Sequence, residues 1–149
     1  MSEVDQEVIT FLESYRIAFT KLDAQQIAEH FAYPLHIAGD GREVSLTSIV
    51  SQPEWLGSIE RLLDMYRGVD FHEALILDLA QTPMSRKLAQ ARVHWGLLDP
   101  MSQPIYDFHA LYTLVRIGEG LRIVAIAHDE VPMYRAYLAR RQSTTQSGA

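Results

Sequence analysis

The amino-acid sequence predicts an α+β domain, with helices in the first half of the chain and a sheet of antiparallel strands in the second. In residues 4–22 and 55–66, apolar side chains recur at steps of three and four, as on one face of a helix. From residue 71 onward, segments rich in branched and aromatic residues are separated by Pro, Ser and Gly, as strands are by turns. No helical segment separates these strands, so a doubly wound parallel sheet is not expected.

The first two helices are predicted within the first 34 residues. The apolar stripe of the first helix extends from Val4 to Leu22. Asp23 has the position of an N-cap, and Gln26, three residues later, completes a capping box for a short second helix. Pro34 is expected to end this segment.

A small hairpin and a third helix are expected next. Two short extended segments, Leu35–Ala38 and Arg42–Leu46, flank residues 39–41, whose sequence Gly-Asp-Gly favours a tight turn. Ser51 then has the position of an N-cap, and Gly68 stands where a helix C-terminal glycine is common. The long third helix therefore precedes the main strands.

Four strands and a short C-terminal helix complete the predicted domain. The connections between the strands are short enough for hairpins, so the strands are expected in antiparallel succession. A brief helix begins near Pro132, and the Ser-, Thr- and Gln-rich residues 142–149 are interpreted as a disordered tail that follows a single domain over residues 1–141. The predicted strands are Phe71–Ala80, Lys87–Leu98, Ile105–Arg116 and Leu121–His128.

Composition limits the classes of function. A chain of 149 residues is long enough to form its own core. The formal net charge of −6 argues against binding nucleic acid, which requires clustered Lys and Arg. The absence of cysteine rules out thiolate metal sites and fits a reducing cytoplasm. No apolar run approaches the ~18 residues that span a bilayer, and the polar N-terminus does not match a secretory signal. A cytoplasmic protein without membrane contact is expected.

Three segments resemble the nuclear transport factor 2-like superfamily, which includes ketosteroid isomerase and polyketide cyclases of the SnoaL type. They are residues 11–15, Phe-Leu-Glu-Ser-Tyr, residues 27–32, Ile-Ala-Glu-His-Phe-Ala, and residues 121–129, which form the last strand and its end. The order of the predicted elements is similar over nearly the whole chain. The resemblance implies a cystatin-like cone, in which three N-terminal helices wrap a curved, mixed or antiparallel sheet around a pocket.

The same resemblance implies a type of ligand and a type of assembly. Members of the superfamily generally bind small, apolar or weakly polar molecules, and many form homodimers through the outer face of the sheet. We therefore expect a small ligand of this kind and a homodimer, with no cofactor. The histidines of the sequence match no compact metal-ligand motif, so no metal is expected either.

Tyr15 falls where ketosteroid isomerase carries the tyrosine that donates a hydrogen bond to a developing oxyanion. The two aspartates of the isomerase would fall near Gly39 and Thr113, where this sequence departs from the pattern. Isomerase chemistry is therefore not predicted from the resemblance. A tyrosine on the buried stripe of a helix is also an ordinary core residue.

Asp107 and His109 are two residues apart on a predicted strand and therefore share a face. A carboxylate beside an imidazole orients the ring and raises its basicity, so the two form a candidate acid–base pair. The register of the preceding hairpin leaves two alternatives. In the favoured register the pair faces the pocket beside Trp95, whereas in the other it joins Arg92 and His94 on the outer surface.

Further candidates lie on the small hairpin and on the last strand. His36 faces either the pocket or the outside, and Asp40, between two glycines, is either a turn residue or a ligand-binding one. Strand alternation and the resemblance place His128 on the pocket side, whereas Asp129 is expected to cap the C-terminal helix. The larger side chains expected to line the pocket are Trp55, Trp95 and Ile126.

Two functions are compatible with the sequence. The first is a small-molecule-binding domain that acts as an acid–base enzyme of the isomerase, lyase or cyclase type through Tyr15, Asp107 and His109. His36 and His128 would then lie near the mouth of the pocket. The second is a non-catalytic homodimeric association domain, favoured by apolar residues on both sides of the strands. The sequence leaves open whether the protein is an enzyme.

Overall fold

A computed structural model describes the backbone of residues 5–147 and the side chains of residues 5–143. The described residues form four helices and six strands, and every strand belongs to one sheet. The elements are α1 Gln6–Thr20, α2 Ala24–Ala28, β1 Phe31–Gly39, β2 Ser45–Ile49, α3 Gln52–Gly68, β3 Glu73–Pro83, β4 Leu88–Leu98, β5 Pro104–Ile117, β6 Gly120–His128 and α4 Glu130–Ser147.

The sheet is mixed, with the strand order β2-β1-β6-β5-β4-β3. Strands β3 to β6 form the predicted antiparallel meander, and β1 joins it through a parallel pairing with β6. Register shifts interrupt four of the strand pairs, and such bulges bend the strands that carry them. The predicted α+β class with a curved mixed sheet is confirmed.

Side-chain caps fix where the first three helices begin. The carboxylate of Asp5 accepts the N–H of Glu7 at 2.9 Å at the start of α1. Asp23 caps α2 as predicted, because its Oδ1 accepts the N–H of Gln26 at 3.1 Å. The hydroxyl of Ser51 caps α3 in the same way. Each such cap typically stabilises a helix by about 1 kcal/mol.

The small hairpin differs from the prediction. The second helix ends at Ala28, and Pro34 lies inside β1 instead of ending the helix. Strand β1 pairs with β6 at Phe31 and again only from His36, so the proline, which has no N–H, occupies the interruption of the ladder. The second strand of the hairpin begins at Ser45 rather than at Arg42.

The C-terminal segment is also different. Helix α4 extends from Glu130 to Ser147 and is longer than the brief helix predicted near Pro132, and residues 148 and 149 of the predicted tail lie outside the described part. The rings of Tyr134 and Tyr137 pack about 6 Å from the ring of Tyr106 on β5. Arg141 donates a hydrogen bond to the carbonyl oxygen of Gly68 at 3.3 Å. These contacts attach α4 to the sheet and to the end of α3.

The helices α1 and α3 cover the inner face of the sheet. Their buried stripes meet the inward side chains of β4, β5 and β6 in one apolar cluster. Burying each Leu or Ile side chain of this kind stabilises the fold by roughly 1.5–3 kcal/mol. Representative fully buried residues are Leu12, Ile59, Leu63, Leu114 and Ile123.

Across residues 5–147, no helix combines the length and the apolar character that a membrane crossing requires.

Candidate functional site

A cavity of about 110 Å³, which we call the inner cavity, lies between the inner face of the sheet and helices α1 and α3. Its walls are mainly apolar, and their aromatic rings meet edge to face, as in the pair Tyr15 and Tyr112 with ring centres 5.8 Å apart. Rings in this arrangement pack tightly and hold their positions. The aromatic wall residues are Tyr15, Phe19, Trp55, Trp95, Phe108 and Tyr112.

Glu130 places a carboxyl group at the edge of this apolar space. It is the first residue of α4, and Asp129 alone separates it from the end of β6. Its side chain lines the inner cavity although only 8% of the residue is exposed. The hydroxyl groups of Tyr66 and Tyr106 both donate hydrogen bonds to its Oε2, at 2.6 and 2.9 Å. No described residue donates a hydrogen bond to its Oε1.

The burial of Glu130 changes its acidity. Loss of hydration disfavours the ionised form and raises the pKa of Glu130 to about 7, and the charge of the neighbouring Asp129 adds to this, while the two tyrosine donors act in the opposite direction. Because Oε2 already accepts two hydrogen bonds, the proton that Glu130 carries below this pH resides on Oε1. A carboxyl with such a pKa can both give and take a proton near neutral pH.

His128, two residues before Glu130, also lines the inner cavity. The backbone N–H of Glu130 donates to its Nδ1 at 3.2 Å, so the neutral imidazole carries its hydrogen on Nε2. Burial lowers the pKa of His128, opposed in part by the charge of Asp129. The ring therefore acts as a neutral hydrogen-bond donor on this side of the cavity.

The hydroxyl groups of two tyrosines form a second polar spot in the cavity wall. The indole N–H of Trp95 donates to the hydroxyl oxygen of Tyr112 at 2.8 Å. Burial, followed by the influence of the adjacent Tyr112 hydroxyl, raises the pKa of Tyr15 well above its usual value. Burial likewise raises the pKa of Tyr112. Both phenols are therefore un-ionised hydrogen-bond donors at all ordinary pH values.

The indole N–H of Trp55 is buried in the wall without a hydrogen-bond partner among the described residues. Its ring stands edge-on to Phe31, with ring centres 5.2 Å apart. An unpartnered buried donor costs roughly 1–3 kcal/mol of stability.

The structure brings five of the predicted site residues together. They come from α1, α3, β4 and β6, which are distant in sequence, and all of them line the inner cavity. The residues are Tyr15, Trp55, Trp95, Ile126 and His128.

Asp107 and His109 do not face the inner cavity, so the favoured register was wrong and the alternative one is observed. On β4 and β5, His94 lies directly opposite His109 and Gly96 opposite Asp107. The Oδ2 of Asp107 lies 2.6 Å from Nε2 of His94, and the two imidazole rings stack 4.2 Å apart on the outer face. The reason is the strand alternation, which turns Phe108 inward.

His36 and Asp40 also lie outside the inner cavity. His36 is exposed on the outer face of β1. Asp40 follows β1 in the turn, where its carboxylate accepts the N–H of Gly41 at 2.9 Å. The expected cap Asp129 instead accepts the backbone N–H of His109 at 2.7 Å, which fastens the end of β6 to β5.

The sequence-based prediction missed Glu130, Tyr66 and Tyr106. A signal for the first was present, because the alternation Ile126, His128, Glu130 continues the pocket-facing side of β6 for two more residues. An acidic residue in the first turn of a helix is so common that it attracts no notice. Among the side chains described, those of residues 5–143, no three from His, Asp or Glu converge as a metal site would need.

Comparison with known proteins agrees with this architecture. The family described as "NTF2-like protein (DUF6841)" matches residues 5–131, so the chain belongs to this family of nuclear transport factor 2-like proteins. The resemblance inferred from the sequence is confirmed. No curated protein matches the chain.

Several solved structures share the fold at low sequence identity. A cystatin-like protein of unknown function from Nostoc punctiforme has a TM-score of 0.66 at 10% identity, covering 87% of this chain and 94% of its own. An NTF2-like protein from Novosphingobium aromaticivorans has a TM-score of 0.65 at 15% identity, with 83% and 79% covered. A second Nostoc punctiforme domain of unknown function has a TM-score of 0.64 at 16% identity, with 99% and 97% covered. At these identities the likeness shows the fold alone.

Proposed function

We propose that the inner cavity binds a small, neutral, largely apolar molecule, and that Glu130 exchanges a proton with it. The protein would thus be an acid–base enzyme of the isomerase, lyase or cyclase type. One observation carries this proposal: a buried carboxyl group lines an otherwise apolar, aromatic cavity, with one oxygen bound by two tyrosines and the other without a partner among the described residues. An aromatic pocket with a few placed polar groups is typical of small-molecule sites.

The electrostatics of the cavity favour a neutral ligand. No Lys or Arg belongs to the described residues that line it, so an anion would be desolvated without compensation. A cation would be favoured only by Glu130, whose own charge is suppressed by burial. A neutral molecule with a polar group next to Glu130 avoids both costs.

The proposed proton transfer uses Glu130 as the acid–base group and the neighbouring hydrogen-bond donors of the cavity wall to stabilise charge. Ionised Glu130 takes a proton from the bound molecule at Oε1, and the same oxygen returns it to another atom of that molecule. The negative charge that develops in between is stabilised by a donor from the Tyr15 and Tyr112 pair or by His128. General acid–base catalysis of this kind typically contributes 10²–10⁴-fold in rate.

Ligand-observed NMR with a library of small neutral molecules in D₂O tests both halves of the proposal. Binding identifies ligands, and the replacement of C–H by C–D in a bound molecule reports proton exchange. We expect Glu130→Gln to slow the exchange by at least about 100-fold, while Glu60→Gln, which changes an exposed carboxylate of α3, leaves it unchanged. Exchange that persists in Glu130→Gln would exclude the proposed role of Glu130.

A second candidate function is homodimeric association through the outer face of the sheet. A shallow groove there, the outer groove, is lined by His36, Leu46, Leu111, Thr113 and Ala127, among others. Leu46 and Leu111 are 79% and 37% exposed. No Lys, Arg, Asp or Glu belongs to its described lining residues, so on a chain of net charge −6 two copies can meet here with little repulsion. We therefore propose a second copy of this chain as the occupant.

Size-exclusion chromatography with light scattering tests the dimer. We expect a dimer at micromolar concentration, and Leu111→Asp should convert it to a monomer. Met101→Asp, which places the same charge on a side chain that is 79% exposed in the turn before β5, should leave the dimer intact. A wild-type monomer at all concentrations would refute this proposal.

A further inference from the structure

The size and the walls of the inner cavity limit its ligand to about one ring. The volume of about 110 Å³ is close to, and below, the ~150 Å³ of an engineered apolar cavity that holds benzene. The wall rings are interlocked, since Tyr15 stands edge-on to both Phe31 and Tyr112 with ring centres 5.8 Å apart. A second fused ring held within this volume would have to displace a buried aromatic side chain, and protein interiors resist such displacement.

One end of the cavity combines a hydrogen-bond donor with an acceptor. The bond of 3.2 Å from the N–H of Glu130 to Nδ1 of His128 joins the two residues and leaves the imidazole hydrogen on Nε2. Glu130 supplies the acceptor through Oε1, because its Oε2 is occupied by Tyr66 and Tyr106. Both residues line the cavity, and they are two positions apart in the chain.

A hydroxyl group matches this combination, because it accepts one hydrogen bond and donates another. A carbonyl oxygen only accepts, and a carboxylate would meet Glu130 with like charge and without a cationic partner among the described lining residues. We propose, on the basis of the proposed function, that the inner cavity binds a neutral single-ring molecule with one hydroxyl group, that is, a phenol-type compound. The hydroxyl group of this ligand accepts a hydrogen bond from His128 Nε2 and donates one to Glu130 Oε1.

Isothermal titration calorimetry with three probes tests the ligand class on the full chain. The probes are phenol, toluene, which replaces the hydroxyl by a methyl group, and 2-naphthol, which adds a fused ring. We expect phenol to bind at least about tenfold more tightly than toluene, since each lost hydrogen bond to a charged group costs about that factor. We also expect 2-naphthol to bind more weakly than phenol.

The outcomes separate this inference from the proposed function. Toluene binding as tightly as phenol, or 2-naphthol binding more tightly, would overturn the single-ring hydroxyl class and leave a small-molecule cavity in place. If none of the three binds and the neutral library also fails, both proposals fall. If only other neutral molecules of the library bind, the hydroxyl class alone is refuted.

Variants of His128 test its part in the recognition. His128→Leu removes the donor, so we expect the preference for phenol over toluene to fall about tenfold while toluene affinity is kept. His128→Gln keeps an N–H donor at a similar distance along the side chain and should retain most of the preference. His72→Gln, which changes an exposed histidine, serves as the matched control. An unchanged preference in a folded His128→Leu protein that still binds toluene would contradict the role of His128.

Discussion

The inner and outer faces of the sheet both carry carboxyl groups close to histidine, yet their surroundings differ. On the inner side, Glu130 is buried among aromatic rings, and its pKa is raised to about 7 by burial. On the outer side, the side chain of Asp107 is 61% exposed and pairs with His94 at 2.6 Å in contact with water. Desolvation disfavours the ionised form of a carboxyl group, so burial suits Glu130 to proton exchange near neutral pH.

The largest expected difference between the two faces concerns proton exchange. Asp107→Asn should leave the exchange rate of any ligand of the inner cavity within about twofold, because Asp107 does not reach that cavity. Glu130→Gln should lower the same rate by 10²–10⁴-fold. Deuterium-exchange measurements on the two variants under the same conditions give the ratio of their exchange rates directly. Equal losses in both would mean that the outer pair takes part in the chemistry.

The pH dependence of stability should also distinguish the faces. The pKa of Glu130 is about 7 in the folded state against an ordinary value of 4.5. The folded state therefore binds more protons between these values, and this residue lowers the free energy of unfolding as pH rises from about 4.5 to about 7, by about 3 kcal/mol in total. Burial lowers the pKa of His128, so this residue instead raises the free energy of unfolding as pH rises toward its ordinary pKa of 6.5.

Urea unfolding of the wild type and of Glu130→Gln across this pH range isolates the contribution of Glu130, because the histidine effect is common to both proteins. We expect the difference in unfolding free energy between the two proteins to shift by about 3 kcal/mol in favour of the variant between pH 4.5 and pH 7 or above. A difference independent of pH would show that Glu130 has an ordinary acidity in the folded protein.

Adjacent residues of β5 allow a third comparison. Tyr112→Phe removes the acceptor of the buried Trp95 N–H and should cost about 1–3 kcal/mol of stability. Thr113→Val changes the next residue, which points to the outer face, and should cost less than about 0.5 kcal/mol. Thermal or urea unfolding measures both. A similar loss of stability in both variants would mean that the hydroxyl group of Tyr112 contributes little to the stability of the fold through its hydrogen bond with Trp95.

The smallest effect is expected for the outer pair itself. A double-mutant cycle with His94→Ala and Asp107→Asn should give a coupling of less than about 1 kcal/mol, because exposed ion pairs are weakened by water and salt. The coupling should decrease further in 0.5 M NaCl. A coupling above about 2 kcal/mol would show that the pair is shielded from water.

Most of the fold was predictable because the signals are local. The apolar periodicity gave α1 and α3, and the Asp23 cap placed the start of α2 at the observed residue. The four late strands were predicted within a few residues of their observed ends. The predicted element bounds were wrong where contacts between distant segments set them. Pairing with β6 places Pro34 inside β1, and packing against the rest of the fold extends α4 beyond residue 141.

The candidate site was predictable only in part. Tyr15, Trp95 and His128 were expected to be in the pocket and line it, because helix and strand periodicity assign their faces. The facing of Asp107 and His109 depends on the strand register, and a shift of one residue reverses it. No pattern within α3, β5 and α4 taken separately reveals that two tyrosines and a glutamate meet.

Helices α1 and α3, the four late strands and the aromatic content of the cavity wall follow from local spacing and side-chain type, so they could be predicted from the sequence. The raised pKa of Glu130, in contrast, arises only in the folded protein. Its pKa depends on the water removed by α3, β5 and α4 packing together and on the donors Tyr66 and Tyr106, which lie 64 and 24 residues away in the chain. Desolvation is a property of the assembled fold, and no segment carries it alone.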